Sequence, residues 1–453
     1  MQIIADLHLH SKYSRAVSQR MDLAEIARWA GKKGILLMAT GDWTHPLWFR
    51  EITQNLIEVA PGIFSLKKKP FDSDAEVYFL LSVEISSIYS QGDKQRRVHN
   101  LIFSPSIKTC EKIVKALEEK GANLLADGRP ILGISSKNLL EMVLSIDEKA
   151  FFIPCHVWTP WFSLYGSKSG FDSIEECFGE MSKHIYAVET GLSSDPIMNW
   201  QIDDLKNRSI VSFSDAHSGP KIGREATVFV PNTISNFKFQ ILNFSYGDIT
   251  DAIKQKPGGK LKIGYTIEFF PEEGKYHWSG HRNCNLRYSP AEVKKNGIIC
   301  PVCKKPLTIG VENRVIQLSE KIYDHSDLKF LKNKSGLVFV YDKEQRRKPF
   351  VSIVQLIETL TEVNNGSPTR ALADYERLTS EFAPEFDILL KQPLEQIESH
   401  AGQKLRQAIE IIRKRRVFVD PGYDGVFGKV KIFGGNNQPG EEKLPEEKQP
   451  TLF

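Results

Sequence analysis

Between residue 1 and about residue 235 one pattern recurs: a short apolar run that ends in histidine or a carboxylate, followed by an amphipathic stretch. Residues 3–9 read as a strand, Leu23–Lys33 spaces Leu23, Ile26, Ala27 and Ala30 as one helical face, and residues 35–40 read as the next strand. Strands over 78–85, 98–103, 151–155, 186–189 and 210–214 continue the series, with a helix over 108–120. Repeated alternation of this kind implies an α/β barrel or a layered sheet.

The polar residues fall where such a fold gathers its active site. Asp6, His8 and His10 alternate along the first strand, so a two-residue period puts their side chains on one face. Asp42 and His45 follow the second strand, Glu84 lies near the end of VYFLLSVEI, His99 opens a strand, His156 ends FFIPCH, and Asp215 and His217 end IVSFSDAH. In α/β barrels the C-terminal strand ends and their loops form the active-site face, so ligands from successive strands converge there. Imidazole and carboxylate suit zinc, manganese and iron, and a carboxylate can bridge two cations. Two or three clustered divalent cations (Zn, Mn, Fe or Mg) activate water and clamp the oxygens of a phosphoryl displacement, which points to phosphate-ester hydrolysis. His8, His10, Glu84 and Asp215 form the expected catalytic core, within a ligand set of His8, His10, Asp42, His45, Glu84, His99, His156, Asp215 and His217.

A second metal motif follows. His281, Arg282, Asn283 and Cys284 lead, after fifteen residues, to Cys300, Pro301, Val302 and Cys303. This pair of short knuckles is the usual frame of a closed tetrahedral zinc, with His277 competing for the fourth position. Cys110, Cys155 and Cys177 are scattered, and that asymmetry favours a metal site over disulfides in a reducing compartment. With 453 residues the chain should form two or three domains. We expect a barrel over 1–235, a zinc module over 236–330, a mainly helical region with a terminal hairpin over 331–435, and a disordered Pro/Gly/Glu/Lys-rich tail over 436–453.

A net charge of +4 and a pI near 8.5 do not by themselves establish a nucleic-acid partner, but the basic residues are clustered. Lys294, Lys295, Lys304 and Lys305 surround the cysteines, and Arg413, Lys414, Arg415 and Arg416 end a helix; both groups are candidate DNA-backbone contacts. Trp43, Trp48, Trp158, Trp161 and Phe162 flank metal ligands and could wall a flipped base, with Ser193, Ser194 and Asn199 as candidate readers by position. The opening MQIIADLHLHSKYS lacks the charged and apolar regions of a signal peptide, and no stretch approaches a membrane span. The expected location is therefore cytoplasmic, associated with the nucleoid, with no membrane partner.

The opening Asp6-Leu7-His8-Leu9-His10-Ser11 and the closing Asp215-Ala216-His217 resemble the motifs of the polymerase and histidinol phosphatase (PHP) family. The resemblance implies a distorted (β/α)7-type barrel over roughly 1–235. It also implies one metal held by His8, His10, Glu84 and Asp215, a second bridged by Glu84 and held by His99 and His156, and a third helped by His217. Where the family usually has Asp-His after the second strand, this chain runs Gly41-Asp42-Trp43-Thr44-His45, so Asp42 or His45 stands as the substitute. TGDWTHP at 40–46, ETGLSSDP at 189–196, SFSDAHS at 212–218, the cysteine module and PGYDG are similar to the endonuclease Q branch of the family. That branch implies cleavage 5′ to uracil, hypoxanthine, xanthine or an abasic site in DNA. The alternative is a small-molecule phosphatase of the histidinol phosphatase type. Finally, Gln449, Leu452 and Phe453 of the terminal QPTLF resemble the pentapeptide that binds bacterial sliding clamps.

Overall fold

The computed structural model describes residues 2–68, 75–232 and 244–434; the tail with its clamp-like pentapeptide lies outside them. Seven strands form a distorted ring: Ile3–Asp6, Leu37–Ala39, Tyr78–Gln91, Lys94–Ser104, Phe151–Pro154, Ala187–Glu189 and Ser209–Val211. The first three pair in parallel, and Lys94–Ser104 is antiparallel to both of its neighbours. Val157 N–H donates to the Glu189 carbonyl (3.1 Å) across the next gap. The ring closes where Leu9 bridges Ala216 in parallel, with His10 N–H bonded to the Ala216 carbonyl at 3.0 Å.

Alternate residues of these strands fill the interior. Ile3, Ala5, Leu7, Leu37, Ala39, Leu80, Leu101, Phe103, Phe151, Ile153, Ala187, Val211 and Phe213 make one buried apolar cluster. The helix Leu23–Lys33 forms with the bounds its sequence implies, because Asp22 caps its first turn and Gly34 ends it in a left-handed conformation. It buries Leu23, Ile26, Ala27 and Ala30 as the spacing predicts.

The sheet extends beyond the ring through Ala226–Pro231, Leu261–Glu268, Phe350–Ser352, Val338–Asp342 and Leu328–Lys332. Part of the 236–330 segment thus joins the barrel's sheet, and the metal-type residues of that segment lie around Ser279–His281 and Leu286–Tyr288. The helices Leu356–Val363, Pro368–Glu381, Glu385–Leu390 and Leu394–Arg413 follow, and then a hairpin of Phe418–Asp420 and Lys429–Lys431. The helical region locks onto the barrel through a buried ion pair, Lys33 Nζ to Glu385 at 2.8 Å, both side chains 1% exposed. Glu385 also accepts from Leu356 N–H and Tyr375 O–H, which satisfies a carboxylate that would be costly to bury alone.

Candidate metal centre

Glu84 sits on the inward face of the strand Tyr78–Gln91, two residues beyond Ser82 and four beyond Leu80 of the barrel interior. Its two oxygens serve two different groups. Glu84 Oε2 lies 3.1 Å from His10 Nε2 and 3.8 Å from His8 Nε2, and Asp215 Oδ1 lies 3.2 and 3.8 Å from the same nitrogens. Glu84 Oε1 lies 2.6 Å from His99 Nδ1 and 3.0 Å from His156 Nε2. Both groups, His8/His10/Glu84/Asp215 and Glu84/His99/His156, are compact enough to hold a metal ion. Ligands about 2.0–2.2 Å from one cation stand roughly 3 Å apart, so these separations need little adjustment. His8 Nε2, His10 Nε2 and Asp215 Oδ1 are buried without a hydrogen-bond partner, as donors awaiting a cation would be.

The rings are oriented from behind. Glu189 accepts from His8 Nδ1 at 2.9 Å and from His156 N–H at 2.8 Å. Asp42 accepts from His10 Nδ1 (2.9 Å), Ser11 N–H (2.6 Å), and the hydroxyls of Ser11 and Ser14. Such partners fix which ring nitrogen faces the metal. Backbone strain concentrates here, with Asp42, His156, Phe162 and Asp215 all at positive φ. Gly191 permits the approach of Glu189's loop, since a Cβ there would lie 2.3 Å from that of His156.

The electrostatics describe a cluster short of positive charge. Burial disfavours a charged imidazole at His8 and His10, but Glu189 and Asp215 beside the first, and Asp42 and Asp215 beside the second, hold both pKa values well above the ordinary one. Glu84 is penalised by burial, yet the Arg129 guanidinium and hydrogen bonds from His10 and His156 keep its carboxyl well below the usual range. Burial lowers His99 to about 4, leaving its ring neutral and ready to ligate. The same residues would hold a cation in place of the protons on His8 and His10.

Several sequence candidates stand elsewhere. Asp6 does not join either group; it ties two strand ends together by accepting from Ser214 N–H, Ser214 O–H and Gly223 N–H. The strand ends at Asp6, so the two-residue alternation stops before His8. Asp42 orients His10 instead of entering a ligand group, and His45 stacks on Tyr13 with ring centroids 4.5 Å apart. His217 packs 4.8 Å from the His10 ring and spends Nδ1 on the Asp215 carbonyl, leaving only Nε2 for a cation. Among the described residues a further group, His8, Cys155 and Glu189, is occupied internally by the His8–Glu189 bond.

Two neighbours escaped the sequence reading. Glu189 is a carboxylate closing the short apolar strand Ala187–Glu189, so the rule that singled out polar residues at the ends of apolar runs points to it. Arg129, whose Nη1 lies 3.0 Å from Glu84 Oε2, comes from a loop with no periodic pattern and left no local trace.

His281, Cys284, Cys300 and Cys303 converge as a second candidate metal site. Cys303 Sγ and His281 Nδ1 are 3.4 Å apart, near the ~3.6 Å that a tetrahedral zinc sets between sulfur and nitrogen. The N–H groups of Cys303 and Val302 pull the Cys300 thiol down to about 6, toward the thiolate that zinc requires. His277 is buried away from this cluster, 3.6 Å from Glu312. The module docks on the loop after His156, where Arg314 donates to the carbonyls of Tyr165 and Phe171 and Ser167 donates to that of Ile309.

Of the basic candidates, Lys294, Lys295, Lys304, Lys305 and Arg416 are exposed. Arg413 requires correction: it is 1% exposed and its guanidinium is consumed by the carbonyls of Ile388, Leu389, Gln392 and Ser335, so no phosphate can reach it. Arg415 also turns inward, to Ser352 and the rings of Phe270 and Phe350, while Lys414 pairs with Glu410. Ser194 and Asn199 bond to each other inside the protein, and Trp158 donates to Asn199, so these polar groups are already used. Trp43 and Trp48 are fully buried; Trp161 and Phe162 are partly exposed.

No family model matches the chain. An uncharacterized protein of Methanocaldococcus jannaschii is 28% identical over 279 residues, which are 61% of this chain and 31% of that protein, so the chain spans about a third of that relative. An uncharacterized protein of Bacillus subtilis is 28% identical over 339 residues, 71% of this chain and 78% of the relative. The crystal structure of a lesion-specific endonuclease, PfuEndoQ from Pyrococcus furiosus, superposes with a TM-score of 0.77 at 27% identity, covering 95% of this chain and 96% of that one. A complex of endonuclease Q with a 27-mer duplex bearing an abasic lesion at its active site gives the same TM-score and identity over 95% and 97%. The likeness spans the barrel, the cysteine module and the helical region together, so the chain shares the fold of endonuclease Q over nearly its whole length.

Proposed function

We propose that this chain is a metal-dependent DNA repair endonuclease that hydrolyses the phosphodiester 5′ to a deaminated base (uracil, hypoxanthine or xanthine) or an abasic site. The observation that carries the reading is Glu84, whose two oxygens join two buried ligand groups inside a fold shared with endonuclease Q over 95% of the chain. A histidinol-type phosphatase would need only the barrel and leaves the rest of that shared fold without a purpose.

Divalent cations held by the two groups would supply Lewis acidity toward the phosphate and activate water at neutral pH. His8, His10, Glu84 and Asp215 would hold one cation, Glu84, His99 and His156 a second, and His217 would border a third. Glu189 and Asp42 hold the imidazoles in the ligating tautomer, and Arg129 places a cation beside Glu84 where a phosphate oxygen can be met. The Cys3His cluster would hold a structural zinc, and the exposed lysines beside it would neutralise phosphates. The QPTLF segment would tether the enzyme to a sliding clamp, in the cytoplasm at the nucleoid.

The test incubates the purified chain with labelled duplexes carrying uracil, hypoxanthine or normal bases, with Mg²⁺, Mn²⁺ or Zn²⁺. Nicking on the 5′ side of the lesion is expected, and Asp215→Ala should abolish it while duplex binding persists. Phosphate release from histidinol phosphate without nicking of any damaged duplex would overturn the reading. Deleting residues 449–453 should remove clamp binding in a pull-down and leave nicking intact.

A further inference from the structure

The terminal hairpin takes no part in either candidate metal site, yet its turn is built with unusual care. Tyr423 and Val426 exchange backbone hydrogen bonds at 3.0 and 2.7 Å. The N–H groups of Gly422, Gly425 and Gly428 reach the carbonyls of Glu272, Lys275 and Glu273 at 2.8, 2.8 and 3.0 Å. A Cβ at position 428 would lie 2.0 Å from the Glu272 carbonyl oxygen, so only glycine permits this seat. On this clamped turn Phe427 is 70% exposed, the highest value of any large apolar side chain among the described residues. Apolar area left in water forfeits its hydrophobic stabilisation, and a rigid turn gives the ring no route to bury it.

The ring's surroundings indicate what covers it. Lys275 Nζ lies 5.7 Å from the Phe427 centroid and 5.6 Å from that of Tyr276. Tyr276 meets Trp161 edge to face at 5.6 Å. The next residue, Phe162, packs 4.9 Å from the metal-group residue His99 and has Arg97 over its ring at 5.5 Å. Aromatic rings interleaved with cations therefore lead from the metal centre to the hairpin tip. A cavity of about 490 Å³ opens beside Trp161 and Tyr276, with Arg282 and Lys305 on its wall and Asp424 of the same turn at its edge. The Phe427 ring and the exposed Val426 beside it form a small apolar tip bordered by Lys275 and the exposed Lys429. It suits nucleic acid, where bases stack on aromatic side chains and phosphates seek the cations.

We propose that Phe427 is a wedge that enters the base stack of the duplex and fills the gap left when the lesion nucleotide is turned out toward the metal centre. The proposal rests on the endonuclease reading above. Extruding a paired nucleotide costs its stacking and pairing, and an inserted apolar side chain replaces part of that loss. A single-stranded lesion has nothing to extrude, so it should not need the wedge.

The experiment compares full-length wild type, Phe427→Ala and Phe427→Trp on uracil in a paired duplex and in a single strand. In an Asp215→Ala background, a 2-aminopurine beside the uracil reports unstacking without cleavage. Phe427→Ala should lose about tenfold or more in kcat/KM on the duplex, and less than about twofold on the single strand. It should also lose the fluorescence rise that Phe427→Trp retains. Equal losses on both substrates, no loss on the duplex, or an unchanged fluorescence rise overturns the wedge. If wild type nicks neither substrate, the endonuclease reading itself falls.

Discussion

In the barrel, the candidate ligands His8, His10, Glu84, His99, His156 and Asp215 come from five segments of the strand ring, spread over half the sequence, and buried carboxylates hold two of their rings in place without a cation. In the cysteine module, all four ligands lie between His281 and Cys303, where Cys284 and Cys303 are half-buried and the local strands are three residues long. The fold around the barrel site holds its ligand rings in place, whereas in the module we propose that a bound metal would do that shaping. A pre-shaped site can leave a coordination position open for substrate, whereas a site that folds its own surroundings must be closed. The Arg314 contacts join the two, placing the cysteine module beside the barrel centre.

The largest expected effect tests the module's dependence. Cys300→Ser should lower the zinc content by one ion per chain and abolish hydrogen-exchange protection around the knuckles, because structural zinc in such modules supplies about 10–16 kcal/mol of local folding free energy. Exchange within Ile3–Asp6 and Leu37–Ala39 should stay unchanged. Full protection of the module in the variant would erase the contrast drawn above.

Next in size, Glu189→Gln and Asp42→Asn should each weaken metal binding at the barrel by about 10–100-fold, read by titration calorimetry, since neither residue belongs to the two groups that share Glu84 but each sets a ligand ring. Unchanged affinity would mean the rings do not need orienting.

The smallest effect concerns stability against pH. Burial raises the Glu268 carboxyl to about 8, despite hydrogen bonds from Ser212 and Thr266, whereas an unfolded chain loses that proton near 4.5. The folded state then holds the extra proton between these values, so stability falls as pH rises from 4.5 toward 8 and levels off above it. Glu268→Gln should remove that slope, and scanning calorimetry of the two proteins should give Tm curves that diverge over this window. Parallel curves would refute the assignment.

Reading the sequence located the ring strands and the residues at their ends because both are local facts: a strand alternates, and a polar residue closing an apolar run has no apolar reason to be there. It undershot the strand Tyr78–Gln91, whose last residues are polar and hold their conformation only through cross-strand pairing with Lys94–Ser104. It also misjudged Arg413, because a basic helix end looks the same in sequence whether the side chain faces water or four carbonyls.

By itself, then, the sequence determined which residue types could ligate and the strand ends from which they would come, since spacing and side-chain chemistry are properties of the chain alone. Only the tertiary structure decided that Glu84 turns one oxygen to each group, that Asp42 orients a ring, and that Arg129 lies beside the cluster. Those roles depend on distances between segments remote in the chain, and they are fixed only when the ring of strands closes.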